Sequence, residues 1–70
     1  MDIRRVLSRN VKELRKAKGL SQEELAFASE LHRTYISGVE RGVRNPTITV
    51  LAKIAKALEV GPDRLLKSTE

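Results

Sequence analysis

The stretch S-Q-E-E-L-A-F-A-S-E-L-H-R-T-Y-I-S-G-V-E-R-G, residues 21–42, decides how this chain folds. It opens on Ser21-Gln22-Glu23-Glu24, an S-x-x-E capping box in which Ser21 caps a helix and Glu24 reaches back to the cap. Glu23 and Glu24 also suit the positive end of a helix dipole. The pattern predicts a short helix from Ser21 to about Ser29, with Leu25, Ala26 and Ser29 facing inward. A second short helix follows within a few residues, from about His32 to Arg41, and Gly42 stops it. Two short helices joined this tightly must cross steeply.

The flanks supply the helices that clamp this pair. Ile3, Leu7, Val11 and Leu14 recur at i, i+4, i+8 and i+11, one face of a helix running roughly from Ile3 to Lys18. Arg4, Arg5, Arg9, Lys12, Lys16 and Lys18 cover its other faces, and Gly19 is a C-terminal stop. On the far side, Asn45-Pro46-Thr47 breaks the chain and restarts it with Thr47 as N-cap. Ile48, Leu51, Ile54, Ala55 and Leu58 then form the apolar face of a fourth helix. Val60-Gly61-Pro62-Asp63 opens a fifth, with Pro62 at the first helical position, where its missing N–H costs nothing. Leu65 and Leu66 end it. No segment alternates with period two for long enough to make a strand. The expected architecture is all-α, five helices, with a helix-turn-helix formed by the second and third, and residues 1–70 making one domain.

Composition bounds the chemistry. Seventy residues, 40% of them hydrophobic, make one small domain with a modest core. The only Phe and Tyr are Phe27 and Tyr35, so packing is aliphatic. Without cysteine there are no disulfides, thiolate zinc sites or thiol nucleophiles, and a lone histidine, His32, excludes a His-rich metal site. No apolar run approaches the about 20 residues needed to span a bilayer. Met1-Asp2-Ile3-Arg4-Arg5 has no apolar signal core behind it. A soluble, cytoplasmic chain with no membrane partner is expected. No carboxylate pair, nucleophile–base set or phosphate-cradling glycine loop is visible. The expectation is therefore no enzyme, no cofactor and no small-molecule ligand.

The net charge is +5, from fourteen Lys and Arg against nine Asp and Glu. Its distribution is patchy. Residues 1–20 hold seven basic and two acidic side chains, residues 21–40 one and four, and residues 41–56 four and none. Such patches favour a polyanionic partner, nucleic acid before membrane.

On a helical wheel with Arg33 at the origin, Ser37, Arg41, Thr34 and Gly38 fall within an arc of about 140°. That arc carries two arginines, two hydroxyls and a glycine, with no acid; Ile36 and Val39 occupy the opposite side. Donors with little bulk suit a major groove. Arg33 is the candidate for base readout, since a guanidinium forks onto guanine O6 and N7; a phosphate contact or a merely solvated arginine is its alternative. Thr34 packs a methyl on thymine or bonds a phosphate, and Ser37 shares the outward arc with it. Gly38 costs about 1 kcal/mol in a helix interior. It provides either close helix packing or clearance for a groove wall, the latter being preferred. Gln22, Tyr35, Arg41, Arg44 and Asn45 are the candidates for gripping the DNA backbone, although Asn45-Pro46 also serves simple turn chemistry. His32 is read as a helix cap. Glu40 lies near the apolar arc, where a charge needs a partner; Arg15 is the candidate, locking the first helix to the third. Val60, Leu65 and Leu66 are expected either at a homodimer surface or in the core.

These residues carry a resemblance. L-S-Q-E-E-L-A at residues 20–26, L-H-R-T-Y-I-S-G-V-E-R-G at 31–42, R-N-P at 44–46 and A-K-I-A-K-A-L-E-V at 52–60 resemble the Cro/λ-repressor-type helix-turn-helix family, also called the XRE family. Within it, R-T-Y-I-S-G-V-E-R is most similar to the controller proteins of restriction–modification systems. The resemblance implies a five-helix domain that binds double-stranded DNA as a homodimer on a two-fold symmetric operator and regulates transcription. It implies backbone contacts at Gln22, Thr34, Tyr35, Arg44 and Asn45, base-facing positions at Arg33 and Gly38, and a structural salt bridge between Arg15 and Glu40. A protein-interaction module on the same fold, such as an antitoxin or coactivator, is the alternative. Glu30 and Glu59 depart from the pattern, standing where the family commonly has glycine; a left-handed backbone there costs about 1–3 kcal/mol.

Overall fold

The computed structural model describes residues 2–68. These form five helices, α1 (Ile3–Ala17), α2 (Gln22–Ala28), α3 (Arg33–Glu40), α4 (Ile48–Ala57) and α5 (Pro62–Leu65), and no strand occurs among them. The helix starts follow from local chemistry. Asp2 accepts from the Arg4 N–H at 3.0 Å and caps α1. Ser21 and Glu24 make the reciprocal capping box of α2, at 3.0 Å and 2.8 Å. Thr47 caps α4 by accepting from the Val50 N–H at 3.2 Å. His32 is the N-cap residue of α3, but its side chain makes no cap hydrogen bond.

The first four helices end in the same way. After each C-cap residue one residue turns left-handed, and the next N–H donates back five residues: Leu20 to Arg15 C=O, Leu31 to Ala26, Val43 to Gly38 and Val60 to Ala55, all between 2.8 and 3.0 Å. The N–H of each left-handed residue closes the inner bond of a Schellman motif. Gly19 (φ +71°) and Gly42 (φ +76°) adopt that conformation without steric cost. At the other two ends it falls to Glu30 and Glu59, both at φ 60°, where a Cβ costs about 1–2 kcal/mol.

α2 packs on α3, α1 on α3 and α5, and α4 on α5 and α2. Leu7, Val11, Leu25, Ala26, Ile36, Val39, Leu51, Ile54, Ala55, Leu58 and Leu65 form the core. Two residues expected on apolar faces lie outside it. Ile3, the first residue of α1, is 49% exposed. Ile48 is 86% exposed. It is the first residue of α4. Helical side chains lean back over the preceding turn, and at a first position no turn lies there to cover them.

The surface expectation for helix α5 is corrected at Leu65, which is 0% exposed and belongs to the core. Val60 is half-buried against that core, and Leu66 keeps 40% exposure. A four-residue helix has few bonds of its own, and Asn10 compensates. Its buried side-chain amide donates to Leu65 C=O and Lys67 C=O at 2.9 Å each, and to Arg64 C=O at 3.4 Å. The Arg64 and Leu65 carbonyls are ones that a helix end leaves without intrahelical partners, and Lys67 lies just past the C-cap Leu66. Asn10 lies on the apolar stripe between Leu7 and Val11, and a polar residue on such a stripe signals a buried partner.

Candidate nucleic-acid interface

Helix α3 is held by its back. Ile36 and Val39 are 0% and 1% exposed, and burying each contributes about 1.5–3 kcal/mol. Arg33, Thr34 and Arg41 are exposed and Ser37 is half-buried, so the outward face carries donors. Arg41 folds along the helix end, its Nε donating to Ser37 C=O at 3.3 Å.

Glu40, on the inner side of α3, is the hub of the polar lock. Arg15 donates Nε to Glu40 Oε2 at 2.6 Å and Nη2 to Oε1 at 3.0 Å. Gln22 Nε2 donates to the same Oε1 at 3.2 Å. The third donor group of Arg15, Nη1, reaches Leu20 C=O at 2.7 Å. Ser8 Oγ donates to the Glu40 backbone carbonyl at 2.5 Å. The hydrogen bond to Glu40 pushes the Arg15 guanidinium above its ordinary pKa, with the charge attraction adding to it against burial. A buried carboxylate is tolerable when its oxygens are occupied in this way. The lock ties α1, the first residue of α2 and the last residue of α3 together, and so sets the angle at which α3 is presented.

Gln22 is therefore half-buried and its amide already engaged. It lines a shallow polar hollow with Arg15, Ser21, Glu23 and Arg33. The fold thus brings Arg33 beside the start of α2, a juxtaposition that separate helical wheels do not display. Glu23 makes this hollow less cationic than the outer arc of α3.

The loop after α3 returns over the helix. Tyr35 is half-buried, and the Arg44 guanidinium lies over its ring, 5.5 Å from the centroid. The Arg44 stem crosses Gly38: a Cβ built on Gly38 would stand 2.5 Å from Arg44 Cγ. This corrects the expectation that Gly38 opens clearance on the outward arc. Gly38 is buried, and what approaches its Cα is the chain's own arginine. Asn45 is exposed in the same loop. Sequence reasoning missed this fold-back because wheels treat helix and loop separately. Among the described residues no group of three His, Asp or Glu is placed to hold a metal ion, and no helix is long and apolar enough to cross a membrane.

Comparison with known proteins places these features in context. Residues 11–65 match the family model described as helix-turn-helix. Control protein C.SmaI of Serratia marcescens is 50% identical over 66 residues, covering 94% of this chain and 79% of that protein. Control protein C.BamHI of Bacillus amyloliquefaciens is 48% identical over 69 residues, covering 97% and 85%. The crystal structure of the restriction–modification controller protein C.AhdI from Aeromonas hydrophila superposes with a TM-score of 0.86 at 48% identity, over 89% of this chain and 94% of that one.

Proposed function

The chain belongs to the helix-turn-helix family, of Cro/λ-repressor type, whose members are DNA-binding transcriptional regulators and not enzymes, and from that premise we propose that residues 1–70 act as one cytoplasmic domain reading a two-fold symmetric operator as a homodimer. Its similarity to C.SmaI, C.BamHI and C.AhdI supports a role as a restriction–modification controller. Helix α3 enters the major groove. Arg33 forks onto a guanine edge, and Thr34 and Ser37 face neighbouring bases. Gln22, Tyr35, Arg41, Arg44 and Asn45 hold the sugar–phosphate backbone and set the register. Val60 and Leu66 are the dimer contacts.

The observation that carries this reading is the division of α3: an apolar back sealed in the core, and an outer face of arginines and hydroxyls without an acid. A protein-interaction module is favoured instead by one feature, the exposure of Phe27 (87%) and Ile48 (86%). Selection from a random duplex library separates the two. A DNA regulator enriches a two-fold symmetric motif whose half-sites lie about 34 Å apart, one helical turn. Recovery of no motif would overturn the proposal in favour of the protein-interaction reading.

A further inference from the structure

Tyr35 and Gly38 are i and i+3 on α3, hence neighbours on one strip of its surface. The Schellman bond from Val43 N–H to Gly38 C=O, at 3.0 Å, ties the loop to that strip. From there Arg44 runs back with Cγ only 2.5 Å from the position a Gly38 Cβ would take, and Nε and Cδ in van der Waals contact with it at 3.5 and 3.6 Å. Its guanidinium ends over the Tyr35 ring, 5.5 Å from the centroid. A helix-interior glycine gives up helix propensity, and here the space it leaves is filled by an arginine stem.

We infer that Gly38 and Tyr35 are positioning residues that together seat Arg44 on α3 before DNA arrives. Gly38 admits the stem and Tyr35 holds the head. Arginine carries large side-chain entropy, and confining it in advance removes part of the ordering cost of binding. The inference rests on the proposed role of Arg44 as a backbone contact. It assigns Gly38 a function directed at Arg44 and not at a base.

Two measurements test it. The first uses no DNA. The chain has one tyrosine, one phenylalanine and no tryptophan, so a ring-current shift on the Arg44 side-chain protons is traceable by NMR. That shift is expected in the parent chain and in Tyr35→Phe, and is expected to vanish in Tyr35→Leu and Gly38→Ala. The Gly38→Ala melting temperature should not fall, because alanine favours the helix and the atoms displaced belong to an exposed, flexible side chain. The second is a mutant cycle on a random-sequence duplex, suited to a backbone contact. Gly38→Ala should weaken binding about two- to tenfold, the range set by re-ordering one long side chain. In an Arg44→Ala background it should have no effect. An unchanged Arg44 shift in Gly38→Ala overturns the seat. A Gly38→Ala penalty that persists undiminished without Arg44 also overturns it, by showing that Gly38 faces DNA directly. If the shift behaves as stated but Arg44→Ala binds as tightly as the parent, the backbone-contact reading fails, and with it the role of the seat.

Discussion

Arg15 holds Glu40 through two charge-assisted bonds, with the Glu40 side chain 1% and the Arg15 side chain 11% exposed. Removing one member of such a pair strands the other in a site built for a charge. Glu40→Ala should therefore lower stability by about 3–5 kcal/mol, read as a fall in melting temperature; an unchanged melting temperature would show that the pair does little to hold α3. Arg33 is different in kind, since its side chain is exposed and the core does not depend on it. Arg33→Ala should leave melting unchanged and relax base preference at one operator position, by about 1–3 kcal/mol. Equal weakening on all sequences would reassign it to phosphate. The salt-bridge pairing was legible in the sequence, because Glu40 fell beside apolar residues on the α3 wheel. The Gln22 bond to the same carboxylate was not, because nothing local to Gln22 points to α3.

At the level of the helix, each end is a separate experiment. Glu30 and Glu59 hold the left-handed positions that Gly19 and Gly42 hold elsewhere. Glu30→Gly should raise stability by about 1 kcal/mol. Glu59→Gly should raise it less, because Glu59 also accepts a hydrogen bond and ion pair from Lys18. Equal melting temperatures for the two variants would discount the ion pair. The carboxylates give a pH signature as well. The Ser21 backbone N–H and hydroxyl hold the Glu24 pKa below the ordinary range. The Lys18 ammonium, by hydrogen bond and then by charge, does the same for Glu59. Both groups therefore bind protons more weakly folded than unfolded. Their contribution is complete above the ordinary carboxylate range and disappears as pH falls through the depressed values. Melting temperature should decline on acidification, and more shallowly in Glu24→Gln/Glu59→Gln. Parallel acid curves for variant and parent would remove these two groups as its cause.

For the whole molecule, the question is which apolar residues belong to the protomer and which to a partner. Leu65 is sealed between α5 and the core, whereas Leu66 is 40% exposed. Leu65→Ala should cost about 2–5 kcal/mol of unfolding free energy. Leu66→Ala should leave a dilute monomer's melting nearly intact and weaken self-association in analytical ultracentrifugation. If Leu66→Ala dimerises as the parent does, the dimer surface lies elsewhere. Val60 is intermediate, packed on the core with part of its surface outward. A chain of this size has a small core, so one leucine moved from surface to interior changes its stability appreciably.

The amino-acid sequence by itself determined the five helices, the caps at Ser21 and Thr47, the stops at Gly19 and Gly42, the outward arginines of α3 and the Arg15–Glu40 partnership. Each is written in neighbours no more than a few turns apart, or in a charge placed on an apolar face, and short-range sterics and hydrogen bonding act on those alone. Tertiary structure decided that Leu65 is core, that Ile48 stands outside it, that Asn10 clasps the end of α5, and that Arg44 lies across Gly38. Those outcomes depend on which surfaces meet after the chain has turned back on itself, and packing between segments far apart in the sequence leaves no period or local motif by which to read it beforehand.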